Sequence, residues 1–206
     1  MDKKTIDINQ RIPLHILEVA LKTYLSGNYT SNYIIEQLRL EFTGENRLRK
    51  AARIVDKIIT RNPLNNWLLA NRDELQVALS KKSDRNLIII ALLNTAFPFS
   101  YDVLRTFGKY FLAQDVISTE SIRKSIASIY GSNRATDNAI YSIVPMYLDA
   151  GLFKRKKLGV YEFLDPVPYT FPVSKQLYIE SFKESLSIDE LQDYQLMDPY
   201  FRFVEV

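Results

Sequence analysis

The sequence predicts a mainly α-helical chain, with an N-terminal helical bundle followed by a winged helix-turn-helix that ends in a small β-hairpin wing. Three observations predict it. Apolar residues recur at three- and four-residue spacing through most of the 206 residues. The six glycines stand singly, several of them at points where such a pattern stops. From Ile117 to Leu164 the chain reads as helix, turn, helix and then a short basic hairpin.

Pro13 suits the first turn of a helix carrying Ile16, Leu17, Ala20, Leu21, Tyr24 and Leu25, which Gly27 ends. Thr30 or Ser31 opens a second helix, with Ile34, Ile35, Leu38 and Phe42 as its apolar face and Gly44 as its stop. A third, from Asn46 to Arg61, buries Leu48, Ala51, Ala52, Val55, Ile58 and Ile59. On its other face it aligns Lys50, Arg53, Lys57 and Arg61 at spacings of three, four and four. Asp56 is the one acid in that stretch, so the stripe suits a phosphate track, although a bundle helix also commonly carries a charged outer face. A helix from about Asp73 to Leu79 follows Trp67, Leu68 and Leu69. Asp84 is expected to cap a buried helix through Leu87, Ile88, Ile90, Ala91, Leu92 and Leu93, which Pro98 closes. The apolar run Leu87 to Phe97 is eleven residues long and interrupted by Asn94, too short to span a bilayer. Tyr101 to about Leu112 is the next helix, with Val103, Leu104, Phe107, Tyr110 and Phe111 inward.

The punctuation of residues 117–164 is the densest in the chain. Ser118 can cap one helix, with Glu120 in its first turn, Ile122, Ile126 and Ile129 at helical spacing and Gly131 as its stop. Ser132 or Asn133 can cap the next, which buries Ala135, Ala139, Ile140, Ile143, Tyr147 and Leu148, is expected to kink at Pro145, and ends at Gly151. Lys154, Arg155, Lys156 and Lys157, a turn at Gly159, and Val160 to Phe163 then make the two strands of a wing. In helix-turn-helix proteins the first residues of the second helix meet base edges. Here those positions hold Ser132, Asn133, Arg134, Thr136, Asp137, Asn138 and Tyr141. Arginine pairs bidentately with guanine and asparagine with adenine, and the Ser132 hydroxyl at a helix N-terminus suits a phosphate. The wing cations would hold the backbone without reading sequence. Double-stranded DNA is therefore the expected partner, while a winged helix is also used as a protein-interaction module.

Residues 165–206 hold three basic and eight acidic side chains, net −5, and the preceding 164 residues are net +8. A basic body with an acidic tail fits one face meeting a polyanion and another facing protein or solvent, and such a tail could also fold back to screen the basic surface. The tail is expected to form a helix from Val173 to Lys183, a second opened by Ser187-Ile188-Asp189-Glu190, and an edge strand through Phe201 to Val206. The resulting division is residues 1–114 as a helical domain, 115–164 as the winged helix-turn-helix, and 165–206 as an acidic extension packing on the body. Without cysteine there is no disulfide framework or thiolate metal site. The N-terminus shows no apolar run with a small-residue cleavage site, so a cytoplasmic protein without membrane contact is expected.

The order of these features resembles the BrxA proteins of BREX phage-defence systems. The resemblance runs over roughly residues 20–164 and rests on Tyr24-Leu25 with Tyr29-Thr30, Ala51-Ala52-Arg53 on a basic helix, and Asp84-Arg85 opening an apolar one. The Ser132 to Gly151 helix and Ala150-Gly151-Leu152 complete it. It implies a small, mainly helical, non-enzymatic protein that binds double-stranded DNA and serves a phage-restriction operon, with other proteins of that system as further partners. It carries over no site residue, and the tail after Asp165 lies outside it.

Catalytic patterns are sparse. His15, the one histidine, sits between Leu14 and Ile16, and the glycines assemble neither a P-loop nor a dinucleotide fingerprint. Ser121-Ile-Arg-Lys124 matches S-x-x-K without its companion motifs, and no glutamate is followed two places later by lysine, as common nuclease sites require. No catalytic residue, cofactor or metal is expected. The rival class is a protein-interaction adaptor, with a transcriptional regulator as a variant needing a two-fold dimer.

Overall fold

The computed structural model describes residues 4–205. It is mainly helical, with one small antiparallel sheet. Seven helices come first: α1 (Leu14–Leu25), α2 (Ser31–Arg39), α3 (Glu45–Ile59), α4 (Asn65–Ala70), α5 (Arg72–Ala78), α6 (Lys82–Ala96) and α7 (Pro98–Phe111). Then follow β1 (Val116–Ser118), α8 (Thr119–Tyr130), α9 (Arg134–Ala150), β2 (Lys154–Lys157), β3 (Val160–Glu162) and α10 (Pro172–Leu186). Two 3₁₀ turns, Asp193–Met197 and Pro199–Phe203, close the chain. Among the described residues no helix is long and apolar enough to cross a membrane.

The N-terminal helices start where capping chemistry puts them. The Thr30 hydroxyl accepts from Tyr33 N–H at 3.3 Å, and Pro13 precedes α1. Gly44 differs from expectation: α2 already stops at Arg39, and Gly44, at φ 89°, opens α3. A left-handed residue serves either end of a helix, and the curl from Leu40 to Phe42, whose N–H groups return to Gln37 and Leu38 carbonyls, uses up the residues that would have continued α2.

α6 is the axis of the molecule. From Asn86 to Ala96 every side chain is buried, and α1, α3, α7, α9 and α10 all pack on it. A helix apolar on every side can only be stable when surrounded. Asp84, expected to cap this helix, instead lies in its first turn and caps α10. Its carboxylate accepts from Thr170 N–H (3.0 Å), Phe171 N–H (2.9 Å) and the Ser174 hydroxyl (2.8 Å), donors at and just before the start of a helix whose N-cap residue, Phe171, supplies no side-chain cap. The tail is thereby bound into the core of the N-terminal helices.

Asn94, the polar interruption of the apolar run, is the hub of a buried network. Its amide donates to the Tyr200 hydroxyl (3.1 Å), and its oxygen accepts from the Ser100 hydroxyl (2.6 Å). Proton accounting fixes the rest. Ser100 has spent its proton, so the Tyr147 hydroxyl donates to Ser100, reaching its hydroxyl and its carbonyl, both at 2.7 Å. Ser181 donates to the Tyr178 carbonyl at 2.8 Å, so Tyr200 donates to Ser181 at 2.6 Å, and Tyr178 donates to the Tyr200 carbonyl at 3.0 Å. Burial pushes the Tyr200 hydroxyl up to about 12, against the hydrogen bonds with Ser181 and Asn94, so the network is neutral at ordinary pH.

The tail departs from expectation in two further places. Ser187 opens no helix. It sits at φ 54° and ends α10 in a turn closed by Ile188 N–H to the Lys183 carbonyl at 3.0 Å, which also presses Ile188 onto the core. The expected edge strand Phe201 to Val206 is a 3₁₀ turn from Pro199, with only the bridge Val167–Val204 made by extended backbone; Val206 lies outside the described residues. Alternation in Phe201-Arg202-Phe203 matches a strand, but burial of Tyr200, Phe201 and Phe203 between α7 and α10 decides the backbone. Gly108 on α7 permits that docking, since a methyl group there would overlap the Pro199 carbonyl.

The sheet has order β1-β3-β2, antiparallel throughout, with Ile117 and Arg155 each opposite Tyr161. β1 falls in the stretch Gln114–Ser118, where the sequence suggests a division between domains. The sheet's inner face lies on α7, where Phe107 stacks on Phe153 (4.5 Å) and meets Tyr161 (5.5 Å), and Phe111 meets Phe163 (5.4 Å).

Asn94→Leu keeps the volume and apolar character of α6 but leaves two hydroxyls short of a partner. It should lower the free energy of unfolding by about 1–3 kcal/mol. Asp84→Ala, which strips the donors of α10 of their acceptor, should cost about 2 kcal/mol or more. Urea unfolding followed by circular dichroism measures both, and unchanged midpoints would remove these groups from the account of stability.

Candidate nucleic-acid interface

The α8–α9 pair is set by short-range chemistry. The Ser118 hydroxyl accepts from Ser121 N–H at 3.1 Å and caps α8, which Gly131 ends at φ 90°. Of the two candidate caps for α9 it is Asn133 that acts: its side-chain oxygen accepts from Ala135 N–H (2.9 Å) and Thr136 N–H (3.1 Å). Gly151, left-handed at φ 80°, closes α9. The helix runs unbroken through Pro145, whose missing N–H leaves the Tyr141 carbonyl without its usual partner one turn on.

These bonds sort the expected groove-reading residues. Arg134, Asn138 and Tyr141 share the outward face of α9, with Tyr141 61% exposed, and Arg134 has no hydrogen-bond or ion-pair partner among the described residues. Ser132 is also exposed. Thr136 is not available: it is 1% exposed, and its hydroxyl donates to the Gly131 carbonyl at 2.7 Å. Asn133 is exposed, but its oxygen is held by the cap, so a bidentate pairing with adenine would require giving the cap up. Asp137, beside them, receives Arg123 of α8 bidentately at 2.8 and 2.7 Å. That pair joins the two helices, and the hydrogen bonds that the guanidinium donates to Asp137 hold it more firmly charged than usual.

The four cations of the β2–β3 hairpin also divide. Lys154 and Lys156 each reach Glu162 across the hairpin at 2.9 Å, and those two hydrogen bonds hold its carboxyl below the usual range. Arg155 and Lys157 have no acidic partner among the described residues. Arg155 lies opposite Tyr161 on the side toward α9, and the register shifts between Arg155 and Lys157, a bulge that carries Leu158 to the tip.

On α3, Lys57 is bound to Asp7 and lies over the Phe97 ring at 4.4 Å, so the expected stripe of four cations is broken. Arg61 folds back to the Arg53 carbonyl at 3.3 Å, and both remain exposed. Lys50 alone of the four lines a depression of about 780 Å³ shared with Ser142 and Asp149 of α9, together with Arg11 and Arg47. The fold thus brings Lys50 beside α9 and leaves Arg53 and Arg61 off that depression. It also adds cations that the pattern of spacing does not single out: Arg47 and Arg11, the latter ion-paired with Asp149. Glu162 could have been found, because a hairpin turning at Leu158-Gly159 places it opposite Lys154. Arg123 and Asp137, fourteen residues apart with a helix boundary between them, leave no local signal.

Among the described residues no three histidine, cysteine, aspartate or glutamate side chains gather as metal ligands. No protein-family model, curated protein or solved structure matches the chain.

Asn133→Ala should destabilise the protein by about 0.5–2 kcal/mol, and Asn133→Asp should restore most of it, as expected of an N-cap. Thermal melts of the three proteins test this; equal melting points would free Asn133 for another role.

Proposed function

We propose that the chain is a non-enzymatic double-stranded DNA-binding protein in which α7, β1, α8, α9, β2 and β3 form a winged helix-turn-helix. The observation that carries this reading is the outward stripe Arg134, Asn138 and Tyr141 on the first half of α9, flanked by a hairpin whose Arg155 and Lys157 lack acidic partners. A helix of this exposure fits a major groove; Arg134 suits guanine, Asn138 suits adenine, and Tyr141 can pack on a thymine methyl or a sugar. Arg155, Lys157 and the Ser132 hydroxyl at the start of α9 suit phosphates, and Lys50, with Arg53 and Arg61 beyond it, would extend the backbone contacts along α3. A place in a phage-restriction system, beside other proteins of that system, follows from the resemblance to BrxA and is proposed on that ground alone.

A protein-docking role is the second reading, favoured by a different observation: Leu158 at the wing tip is 90% exposed beside an apolar groove. A duplex backbone has no use for such a side chain.

Fluorescence anisotropy of a labelled duplex, titrated over about 50–200 mM salt against a random competitor, tests the DNA reading. Affinity should fall steeply with salt. Arg155→Ala should weaken binding to every sequence and lower the salt slope by about one unit, whereas Arg134→Ala should weaken it most on the preferred sequence. Glu162→Gln should strengthen binding and raise the slope by up to about two units, by releasing Lys154 and Lys156. The same release is expected on acidification: the carboxyl is held low, so the clamp is present at neutral pH and lost as pH falls through that lowered value. No binding at low salt would overturn the DNA reading in favour of the docking one.

A further inference from the structure

Two exposed apolar features remain unexplained by DNA binding, and they are opposite in shape and charge. The first is a groove of about 510 Å³ between the wing, the start of α8 and the outer side of α9, with Tyr141, Val144, Pro145 and Leu158 as its apolar lining and Arg155 on its wall. Glu120 and Arg123 also line it, but Arg123 is paired with Asp137 and Glu120, and Glu120 also with Lys124, so the uncompensated charge of the lining is Arg155, with Lys157 next to Leu158 in the chain.

The second is a knob. In the 3₁₀ turn Asp193–Met197, Tyr194 is 73% and Met197 84% exposed. Residues three apart in a 3₁₀ helix eclipse, so the two side chains project together. From Ser187 to Asp198 the chain has four acids and no base. Of these, Asp198 is held by Arg105 at 2.8 Å, which leaves Asp193 in the turn itself and Asp189 and Glu190 just before it in the chain without an ion-pair partner among the described residues. The knob is preformed: Gln192 and Gln195 close a capping box over the turn, and the Pro199–Phe203 turn anchors its far side on α7. Docking it therefore costs little ordering. No tail residue beyond Asp165 lines the groove of its own chain, so a knob that filled it would come from another copy.

We propose that the acidic Tyr194–Met197 knob of one copy of this chain docks in the basic wing groove of a second copy. The contact joins two different patches, so it is heterologous: it repeats head to tail, closing into a ring or extending as a chain. The charge imbalance between tail and body favours that orientation, and salt should weaken it. Tyr141 and Arg155 belong both to this groove and to the DNA-facing set, so the two occupancies exclude each other. The inference itself stands on the groove and the knob alone, and its test is run without DNA, so that its failure is distinguishable from failure of the DNA reading.

Sedimentation velocity of the full chain over a range of concentrations provides the test, with circular dichroism to confirm that each variant is folded. The wild type should associate at about 0.05 M salt and at least about tenfold more weakly at 0.5 M, where screening shortens to a few ångströms. Leu158→Lys, which spoils the groove, and Met197→Lys, which spoils the knob, should each remain monomeric. An equimolar mixture of the two retains one intact groove and one intact knob and should associate again, but only to two chains. A wild type that stays monomeric throughout, single variants that associate like the wild type, or a mixture that fails to pair would each overturn the proposal.

Discussion

The fold depends on an amide placed where an aliphatic side chain would otherwise be expected. Asn94 sits in the last turn of a helix buried on every side from Asn86 to Ala96, and through its two polar ends five elements are held in register: α6 itself, the start of α7, the second half of α9, α10 and the final 3₁₀ turn. Apolar packing alone is tolerant of rotation and sliding, because dispersion contacts are many and weak. A buried amide is not tolerant, since each unmade hydrogen bond in that environment costs about as much as a substantial part of a small domain's margin. Asp84 does the same at the other end of α6, where its carboxylate is satisfied only if α10 begins at one place and points one way. The acidic tail is in consequence a structural part of the helical body, and its charge excess stands on a surface whose position is fixed.

That rigidity reaches the candidate interface through α9. Its second half ends in the network at Tyr147 and in the hydrogen bond from Asn86 to the Ala150 carbonyl at 3.1 Å, while its first half buries Thr136, Ala139 and Ile140 and turns Arg134, Asn138 and Tyr141 outward. Side chains borne on an anchored helix keep their spacing, which is what recognition of a regular groove requires. The Arg123–Asp137 pair then fixes α8 against α9 at the exposed end, so the helix pair is held at both extremities.

What could be read from the sequence was local. Ser118, Thr30 and Asn133 act on backbone groups two or three residues away, and Gly131 and Gly151 answer to their own dihedral angles, so their effect is decided before the chain folds. The basic hairpin was legible for the same reason, as a strand, a glycine turn and a strand. The misreadings occur where burial or another partner, near or distant, outweighs the preference read from spacing. Asp84 has the spacing of a helix cap and caps a helix 87 residues away; Ser187-Ile188-Asp189-Glu190 has the letters of a capping box, yet Ile188 is drawn inward and ends a helix instead. Thr136 has the position of a groove reader, but its hydroxyl closes the turn behind it. Lys57 belongs to the cationic stripe by spacing and is removed from it by Asp7 and Phe97, neither of which lies in α3.

The same distinction explains why net charge describes this surface poorly. Between Ile117 and Leu164 there are seven basic and four acidic side chains, a modest excess of three. Every one of the four acids is engaged: Glu120 and Asp137 by Arg123, Asp149 by Arg11, and Glu162 by Lys154 and Lys156. The acids are consumed in holding the helix pair, the wing and the N-terminal segment in place, and exposed pairs of this kind contribute little to stability. What they do instead is decide which cations remain uncompensated. Arg134 at the start of α9 and Arg155 and Lys157 on the hairpin are left over, and Arg155 lines the apolar groove together with Tyr141. An incoming anion, whether a phosphate backbone or an acidic turn of another chain, meets positive charge that the protein has not already answered. The uncompensated charge on this face is therefore set by three residues and by the carboxylates that spare them, more than by the seven cations counted along the sequence.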